Sequence, residues 1–418
     1  MANAGIRILF VGIAMSGSSV TRVLTALMAN FPEQYEIHFL GAYRSESLQI
    51  EISGLRFYPW PDSIRNPAII FYLQQLIREI RPRILFMMGY PWWFSEVLEV
   101  IAQPPRDFRT ILYMPIEGYL VDIQAIKPLR YIDHCLLYSQ FAYQNIETLG
   151  RQLEQQDPNF KLPQLQILPH GVNTESFFPI QKTVAGHFSK TGRALIRGKL
   201  FPDRPELNDA VIILNANQPY PRKRIDLTIQ SLGLFLQRRP AANIYLYLHH
   251  PHLEAYFLRQ IMSCAGEMGI TQRLLVNTMN TKAESISDDQ LNDLYNACDI
   301  GINTAMGEGW GLVSFEHAAT GAAQLIPNHT TFKEIWADAA VMMDIASEEY
   351  LGYEHAKMYV VSPEDAAAKI ERLYDNEAYR YQMSLYAYER ATSPQYLWPS
   401  IAGRLSDIFR SVLTNCNL

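Results

Sequence analysis

The chain has 418 residues, of which 48% are hydrophobic, and a formal net charge of −6 at pH 7. It is too long for one ordinary hydrophobic core and suits two domains of about 200 residues each. The near-balanced charge predicts no face that binds nucleic acid, and four well-separated cysteines without a CxxC pair argue against a structural zinc site or a disulfide framework.

The N-terminal part alternates short apolar runs, which are typical of strands, with stretches of helical periodicity. The first run, residues 6–13, precedes a polar loop at 16–19 and an amphipathic stretch, so we interpret it as a core strand and not as a signal peptide. No stretch approaches the about 20 apolar residues that span a bilayer, so we expect a soluble cytoplasmic protein. The further predicted strands are 35–41, 83–88, 110–114, 134–138 and 166–168, and the predicted helices include 20–29, 69–80 and 93–101.

Residues 183–208 are polar and poorly periodic, so we interpret them as the connection between two domains. A second alternating series follows. Its predicted strands are 211–215, 243–248, 273–277, 300–303, 322–327 and 340–343, and its predicted helices are 225–238, 253–268, 288–297, those within 363–391, and 395–413. The pattern predicts an α/β protein with two doubly wound sheets. The predicted domains are 1–180 and 210–394, joined by a linker at 181–209 and followed by a helix within 395–418.

The most informative segment is GEGWGLVSFEHAATG at 307–321. Its glycines predict a strand-to-helix turn, with the helix beginning near Leu312. Backbone N–H groups at about 310–313 would then point out of the helix N-terminus, where the helix dipole favours an anion such as a diphosphate. Glu308 at the turn could bind sugar hydroxyls, and Glu316 in the helix a ribose diol. The alternative is an ordinary helix start, because acidic residues are favoured in first turns.

Two further motifs accompany this segment along the chain. One is the basic cluster NANQPYPRKRID at 215–226, and the other is HGVN at 170–173, with Phe177 and Pro179 after it. Together with the pair Glu308 and Glu316, eight positions apart, they resemble the retaining glycosyltransferases of the GT-B fold, in particular family four. The three motifs occur in the family's order over nearly the whole chain.

The resemblance implies an α/β GT-B fold, in which two Rossmann-like domains face a central cleft and a C-terminal helix crosses back to the first domain. It also implies an enzyme that moves a sugar from a nucleotide-diphosphate donor to an acceptor hydroxyl. Retention would follow from front-face attack, in which the departing phosphate helps to take the acceptor's proton. No cofactor is implied beyond the nucleotide-sugar co-substrate, and the lack of an Asp-x-Asp motif predicts that no metal ion is needed.

This chain departs from the family at one place, since Asn217 and Gln218 occupy the positions where an additional arginine is usual. The departure motivates the alternative of a non-catalytic nucleotide-sugar-binding or partner protein on the same fold. A relative with other chemistry, such as an epimerase or a phosphorylase, is a further alternative, although no pyridoxal-phosphate lysine motif is recognisable. A dehydrogenase is disfavoured because no GxGxxG follows the first strand.

The resemblance and the strand ends select the candidate site residues. The predicted catalytic residues are Glu308, Arg222, Lys223 and Glu117. The predicted donor-binding residues are Gly17, Asn217, Gly309, Trp310, Gly311, Leu312, Val313 and Glu316. The predicted acceptor-side residues are Ser16, Trp92, Trp93 and His170, and the candidates for contacts with the base are Asn277, Thr278 and Met279.

These residues have distinct expected roles. Arg222 and Lys223 would neutralise the phosphates of the leaving group, and the alternative, a solvated basic helix start, is disfavoured by the helix dipole. Glu117 would orient the donor sugar or the acceptor, unless it is simply a loop carboxylate in water. The aromatic group from Tyr90 to Phe94 could stack on an acceptor, and core packing is the alternative for part of it and for His170.

The expected partners are a nucleotide-sugar donor and an acceptor that is a carbohydrate, a lipid-linked molecule or a protein. No nucleic acid is expected. Peripheral membrane contact stays open because many members of the family use lipid-linked acceptors. The base, the transferred sugar and the oligomeric state are not indicated by the sequence.

Overall fold

The computed structural model describes residues 5–43, 50–103, 106–180, 190–250, 255–276 and 286–414. The chain divides into two compact units. The first unit comprises Met1–Gly171, Gly352–Ala356 and Gln395–Leu418, and the second comprises Val172–Leu351 and Lys357–Pro394. The first unit therefore includes two segments from the C-terminal half of the sequence.

The first unit is built on a parallel sheet. Its N-terminal elements are β1 (Ile6–Ile13), α1 (Ser19–Ala29), β2 (Tyr35–Ala42), β3 (Arg56–Trp60), α2 (Ala68–Ile80), β4 (Ile84–Met88), α3 (Ser95–Ile101), β5 (Arg109–Met114), β6 (Tyr119–Leu120), β7 (His134–Leu137), α4 (Gln140–Gln156) and β8 (Gln164–Ile167). Among the described residues, seven of these strands form one sheet in the order β3-β2-β1-β4-β5-β7-β8, and all neighbours are parallel. β4 is buried along its whole length, as expected for a strand covered on both faces.

The second unit repeats this plan. Its elements are α5 (Lys190–Leu200), β9 (Val211–Asn215), α6 (Ile225–Arg238), β10 (Ile244–Leu248), α7 (Ala255–Glu267), β11 (Leu274–Val276), α8 (Asp288–Ala297), β12 (Ile300–Ile302), α9 (Leu312–Ala319), β13 (Ala323–Pro327), α10 (Thr330–Trp336), β14 (Val341–Met343), β15 (Ile345–Leu351), β16 (Ala356–Val361), α11 (Pro363–Asp375) and α12 (Glu377–Ala391). Six of its described strands form a parallel sheet in the order β11-β10-β9-β12-β13-β14. The predicted α/β class with two Rossmann-like sheets is therefore confirmed.

The C-terminal helix α13 (Trp398–Thr414) belongs to the first unit. The ring of Phe409 lies 5.4 Å from that of Phe31 and 5.9 Å from that of Phe86, measured between centroids. The Tyr35 hydroxyl donates to the Ser406 carbonyl at 3.3 Å. This packing confirms that the last helix returns to the first domain.

Residues 183–208 differ from the predicted poorly periodic connection, because α5 lies within them. Arg197 of this helix is 3% exposed. Its guanidinium donates to the carbonyls of Ala297 and Ala210, each at 2.8 Å, and to Asp299 Oδ2 at 2.6 Å. The segment interpreted as a connection therefore contains a helix whose Arg197 side chain is buried in the second unit.

Two strands were not predicted for the region after β14. β15 and β16 are neighbours in a small separate sheet, and the middle of β15 is exposed. Its sequence, IASEEYL, has no clear apolar alternation, which explains why sequence periodicity missed it. Of the helices in the described ranges, none combines the length and the apolar character that a bilayer-spanning helix requires.

Candidate functional site

The turn before α9 lies where the sequence predicts it. Gly311 has a φ of 89°, and a Cβ added there would lie 2.5 Å from the ring of Phe332. Glycine therefore suits this position, because it adopts the left-handed backbone conformation without strain and has no Cβ that would clash with Phe332. Within the described ranges, the backbone N–H groups of Leu312 and Val313 donate no hydrogen bond. The N-terminus of α9 thus presents donors suited to an anion.

Lys223 and Glu308 form a buried ion pair beside this turn. The Lys223 ammonium donates to Glu308 Oε2, and their side chains are only 10% and 13% exposed. Burial alone would raise the pKa of the Glu308 carboxyl, but the nearby charges of Lys223 and Arg222 outweigh burial and lower that pKa. Glu308 is therefore a carboxylate at neutral pH, held as a hydrogen-bond acceptor.

The loop that carries Lys223 is fastened to the loop that carries Glu308. The Met306 N–H donates to the Arg222 carbonyl at 2.9 Å, and the Arg222 guanidinium donates to the Gly307 carbonyl. The cluster of cations and the glycine turn, about 85 positions apart in sequence, are thus one structural unit.

Buried hydroxyl and amide groups form a hydrogen-bond network that holds the loop carrying Lys223. Thr304 Oγ1 donates to the Arg224 carbonyl at 2.8 Å and lies 2.8 Å from the Thr228 hydroxyl. The Asn215 amide in turn donates to Thr228 Oγ1 at 2.9 Å. Arg224 itself has a φ of 46°, so this network holds a residue in a conformation that non-glycine residues seldom adopt.

Asn217, a predicted donor-binding residue, belongs to the same network. Its backbone N–H and its side-chain amide both donate to Asn215 Oδ1, at 3.1 and 3.0 Å. Its side-chain oxygen lies 3.5 Å from the Asn303 amide nitrogen. Asn217 is 5% exposed, and these contacts fix the start of the loop that leads to Lys223.

Glu316 and Trp310 are held rigidly. Glu316 is 5% exposed, and its Oε2 accepts a hydrogen bond from the Tyr295 hydroxyl at 3.1 Å. The Trp310 ring stacks on that of Phe315, with centroids 4.8 Å apart and an angle of 14° between the planes. Gly309 lies between Glu308 and Trp310 in the same turn. The second unit thus brings together Arg222, Lys223, Glu308 and the turn 309–313, with Asn217 and Glu316 anchored next to them.

The remaining predicted residues lie in the first unit. Ser16 and Gly17 form the turn after β1, where Gly17 has a φ of 73°. Thr21 fastens this turn, because its hydroxyl accepts from the Met15 N–H and donates to the Ile13 carbonyl, each at 2.9 Å. Gly17 was predicted to bind the donor, and it belongs to a different unit from the other donor-binding residues.

The aromatic group after β4 is partly core and partly surface. Phe94 is fully buried, whereas Trp92 and Trp93 are partly exposed. Trp92 stacks on Tyr90 at 4.5 Å between centroids, and the Arg65 guanidinium carbon lies 5.2 Å from the Trp93 ring centroid. The two tryptophans therefore have different surroundings.

His170 and Glu117 both lie near buried tyrosines. His170 is 3% exposed, its Nδ1 is 2.7 Å from the Tyr113 hydroxyl, and burial lowers the pKa of its imidazole to about 3. Glu117 is half-buried, and its charge contributes, after burial, to raising the pKa of the Tyr138 hydroxyl. The described contacts of His170 are those of a core residue, and its acceptor-side role stays a prediction.

Two histidines were missed by the sequence reasoning. His329 follows β13, is 3% exposed, and has its Nε2 2.9 Å from the Ala305 carbonyl, beside the glycine turn. His355 belongs to the first unit, where its Nδ1 is 2.8 Å from Asp122 Oδ2. His329 follows the end of a predicted strand, and this position could have identified it as a candidate from the sequence. No sequence pattern linked His355 to the first unit. Asn277, Thr278 and Met279 lie outside the described residues.

In the part of the chain that the structure describes, no three His, Cys, Asp or Glu side chains are grouped so that they could hold a metal ion.

The comparisons with known proteins agree with this architecture. No family model matches the chain. A mannosylfructose-phosphate synthase of Agrobacterium fabrum (strain C58 / ATCC 33970) is 22% identical over 241 residues, which cover 54% of this chain and 49% of the relative. The serotype-specific mannosyltransferase WbdA of Escherichia coli is 25% identical over 228 residues, covering 53% and 24%. The matched region thus spans half or less of the length of these curated relatives.

Solved structures match over almost the whole chain. Sucrose-phosphate synthase from Thermosynechococcus elongatus superposes with a TM-score of 0.72 at 15% identity, covering 98% of this chain and 100% of that one. WaaG, a glycosyltransferase involved in lipopolysaccharide biosynthesis, gives a TM-score of 0.66 at 13% identity, with coverages of 96% and 99%. Because these superpositions cover nearly the whole chain at TM-scores of 0.72 and 0.66, the chain has the GT-B fold of these structures.

Proposed function

We propose that this protein is a retaining glycosyltransferase that transfers a sugar from a nucleotide-diphosphate donor to an acceptor hydroxyl without a metal ion. The observation that carries the proposal is the buried Lys223–Glu308 pair at the N-terminus of α9, with Arg222 fastened to the same turn. It brings two cations, backbone N–H donors and a carboxylate together within one small region of the second unit, and this carboxylate is the group that we propose binds the sugar.

In the proposed reaction, the diphosphate of the donor lies against the N-terminus of α9. The N–H groups of Leu312 and Val313 and the side chains of Arg222 and Lys223 stabilise the charge that develops on the leaving phosphate. Two fixed cations can supply this stabilisation without a divalent ion. Because both loops are held by buried hydrogen bonds, little reorganisation is needed when the charge develops.

Glu308 and Glu316 have separate tasks in this proposal. Glu308, ionised and paired with Lys223, accepts hydrogen bonds from hydroxyls of the transferred sugar. Glu316, whose Oε2 accepts from the Tyr295 hydroxyl, also accepts from the ribose diol in this proposal. The enzyme therefore contributes mainly positioning and electrostatic stabilisation, and no side chain acts as a covalent nucleophile.

The first unit is proposed to bind the acceptor. Its turn at Ser16 and Gly17, the aromatic residues after β4 and Glu117 all follow the carboxyl ends of parallel strands. Ligands of open α/β sheets bind at those ends. Trp92 and Trp93 supply apolar faces, and Glu117 supplies a carboxylate to orient a hydroxyl.

The test begins with thermal stabilisation by a panel of UDP-, GDP- and ADP-sugars, since a ligand that binds the native state raises the melting temperature. Mannose donors are included because two relatives carry mannosyl in their names. The stabilising donor is then assayed for slow hydrolysis, and the anomeric configuration of the released or transferred sugar is followed by NMR.

Retention of configuration, together with activity that persists in EDTA, is the expected result. Inversion, or activity that EDTA abolishes and magnesium restores, would overturn the corresponding part of the proposal. Stabilisation by a nucleotide-sugar without any hydrolysis or transfer would favour the alternative of a non-catalytic binding protein. That alternative is motivated by the presence of Asn217 and Gln218 where an arginine is usual.

A further inference from the structure

A histidine–carboxylate pair lies beside the aromatic residues of the first unit. His355 Nδ1 is 2.8 Å from Asp122 Oδ2, and the His355 ring meets the Trp92 ring edge to face at 5.1 Å between centroids. Both side chains of the pair are about 30% exposed. None of this was visible in the sequence, because 233 positions separate the two partners.

The backbone holds His355 in a fixed position. Its φ is 56°, in the left-handed region, and its carbonyl accepts from the Val121 N–H at 3.0 Å and from the Asp122 N–H at 3.4 Å. A non-glycine residue in this region costs free energy unless its surroundings compensate. The imidazole is therefore oriented by contacts on its backbone, on Nδ1 and on its ring.

The Asp122 carboxylate determines which nitrogen of the neutral ring carries the proton. An ionised carboxylate can only accept hydrogen bonds, so Nδ1 must be the donor. Nε2 then keeps its lone pair as an acceptor. Among the described residues, no hydrogen bond to Nε2 of His355 is formed. The second Asp122 oxygen accepts from the Gln124 N–H at 2.8 Å, which fixes the carboxylate as well.

Trp92 complements this acceptor with an apolar surface. It follows the carboxyl end of β4, is partly exposed and stacks on Tyr90. A partly exposed indole beside an oriented hydrogen-bond acceptor suits a sugar ring, whose C–H face packs on the aromatic surface while a hydroxyl donates to the acceptor. Trp93 is different, because the Arg65 guanidinium lies over one face of its ring.

We infer that His355 and Trp92 form the acceptor subsite for a pyranose ring, with Nε2 of His355 accepting a hydrogen bond from an acceptor hydroxyl and Asp122 holding the imidazole. This inference rests on the proposed glycosyltransferase function. It assigns the acceptor as a carbohydrate, and it places a specificity-determining residue in a segment of only five residues, Gly352–Ala356, that the C-terminal half of the sequence contributes to the first unit.

The decisive variant is His355→Asn. Asparagine tolerates the left-handed backbone, and its amide can still donate to Asp122, but it has no atom at the position of Nε2. His355→Gln is the complementary variant, because its longer side chain places an oxygen near the position of Nε2. His134→Asn is the matched control, since His134 begins β7 at the opposite, amino end of the same sheet.

The experiment measures three quantities with the stabilising donor: slow donor hydrolysis, nucleoside-diphosphate affinity, and transfer to para-nitrophenyl glycosides of mannose, glucose and N-acetylglucosamine. We expect His355→Asn to raise the KM for the glycoside by about tenfold, the loss of one hydrogen bond, with hydrolysis and nucleotide affinity unchanged. His355→Gln should recover part of this loss, and His134→Asn should behave as wild type.

Equal KM values in wild type and His355→Asn would overturn the inference. A parallel loss of hydrolysis and transfer would also overturn it, because that result would assign His355 to folding alone. Transfer by wild type to none of the three glycosides, with hydrolysis intact, would overturn the carbohydrate acceptor while leaving the donor half of the proposed function in place. Absence of both donor binding and hydrolysis in wild type would instead count against the proposed function itself.

Discussion

At the scale of single residues, the second unit keeps a carboxylate and an ammonium together away from water. Burying two charges is costly, and their attraction compensates only when the geometry is good. The Lys223–Glu308 pair adjoins backbone N–H donors at the start of α9, so its charges are oriented before any ligand arrives. Such preorganisation is of more use in catalysis than in folding.

Glu308→Gln should lower turnover by at least about a hundredfold, the effect typical of losing one oriented electrostatic contact. Affinity for the nucleoside diphosphate should stay nearly unchanged or rise slightly, because Lys223 loses its internal partner and remains available to the phosphates. Steady-state kinetics and calorimetric titration with the nucleoside diphosphate check both parts. A matching loss of nucleotide affinity would contradict the assignment of Glu308 to the sugar.

Glu316→Ala should act on the nucleotide instead. Removing the ribose contact should weaken binding of the nucleoside diphosphate by roughly 1–3 kcal/mol, since hydrogen bonds to a charged group are lost. Tyr295→Phe is the matched control, because it deletes only the hydroxyl that donates to Glu316 and keeps the carboxylate. Unchanged affinity in the Glu316 variant, or equal losses in both variants, would exclude the ribose contact.

At the scale of elements, the amino-acid composition of α5 gave no indication of the buried contacts that this helix makes. Arg197 on this helix donates to four backbone carbonyls besides its pair with Asp299. The Asp299 carboxylate also accepts from the Ile212 N–H at 2.8 Å. Burial alone would raise the pKa of Asp299, but the nearby charges of Arg197 and Arg193 and the Ile212 hydrogen bond outweigh burial and lower that pKa. The helix is thus fastened to the amino end of the sheet, opposite the proposed donor site.

Arg197→Met should destabilise the second unit by about 3 kcal/mol or more, because Asp299 is left as a buried charge with one partner fewer. Lys199→Met, on the same helix, is the control. Its ammonium pairs with Asp293, but the lysine side chain is 65% exposed, so the loss should be well under about 1 kcal/mol. Differential scanning calorimetry gives the melting temperature of each variant. Equal melting temperatures in the two variants would refute a special role for Arg197.

At the scale of the whole molecule, buried neutral histidines are a recurrent feature of both units. Burial lowers the pKa of His170 and His317 to about 3, and that of His249, His250 and His329 to about 4, although neighbouring groups also contribute to some of these values. In the unfolded chain these rings titrate near 6.5. Below that pH the unfolded state binds more protons than the folded state.

Acidification should therefore destabilise the protein from about pH 6.5 downward, until the pH reaches the folded-state pKa values of about 3 to 4. Each such histidine contributes a slope of about 1.4 kcal/mol per pH unit within this window. Glu308 adds to the loss only below about pH 4.3, where glutamate in the unfolded chain begins to bind protons while the lowered pKa keeps the folded carboxyl ionised.

Melting temperatures measured between pH 7.5 and pH 4.5 give the test. His170→Gln should melt at a lower temperature than wild type at pH 7.5, because the imidazole packing is lost, but its melting temperature should depend less on pH. An equal or steeper pH dependence in this variant would show that His170 does not contribute to the acid sensitivity.

Most of the architecture was predictable from the sequence, because strands and helices leave local periodicities. The predicted helices 225–238 and 288–297 coincide with α6 and α8, and the predicted start of α9 at Leu312 follows from the chemistry of a glycine turn. Among the elements that were missed, α5 and β15 are charged or polar segments, so the apolar pattern is weak in both. The missed strand β16, AKMYVV, is instead largely apolar, and β3 and α10 were also missed.

The same distinction between local pattern and distant packing applies to the candidate site. Sequence alone determined the types and spacing of the residues proposed to bind the donor, Glu308 and Glu316 around their turn and Arg222 with Lys223 after β9, because each set is local. Only the tertiary structure decided that Lys223 pairs with Glu308, that Asn217 and Thr304 belong to one buried network, and that His355 reaches Asp122 and Trp92. These contacts join residues about 80 or more positions apart, and the order of strands in the sheets, not local pattern, brings such residues together.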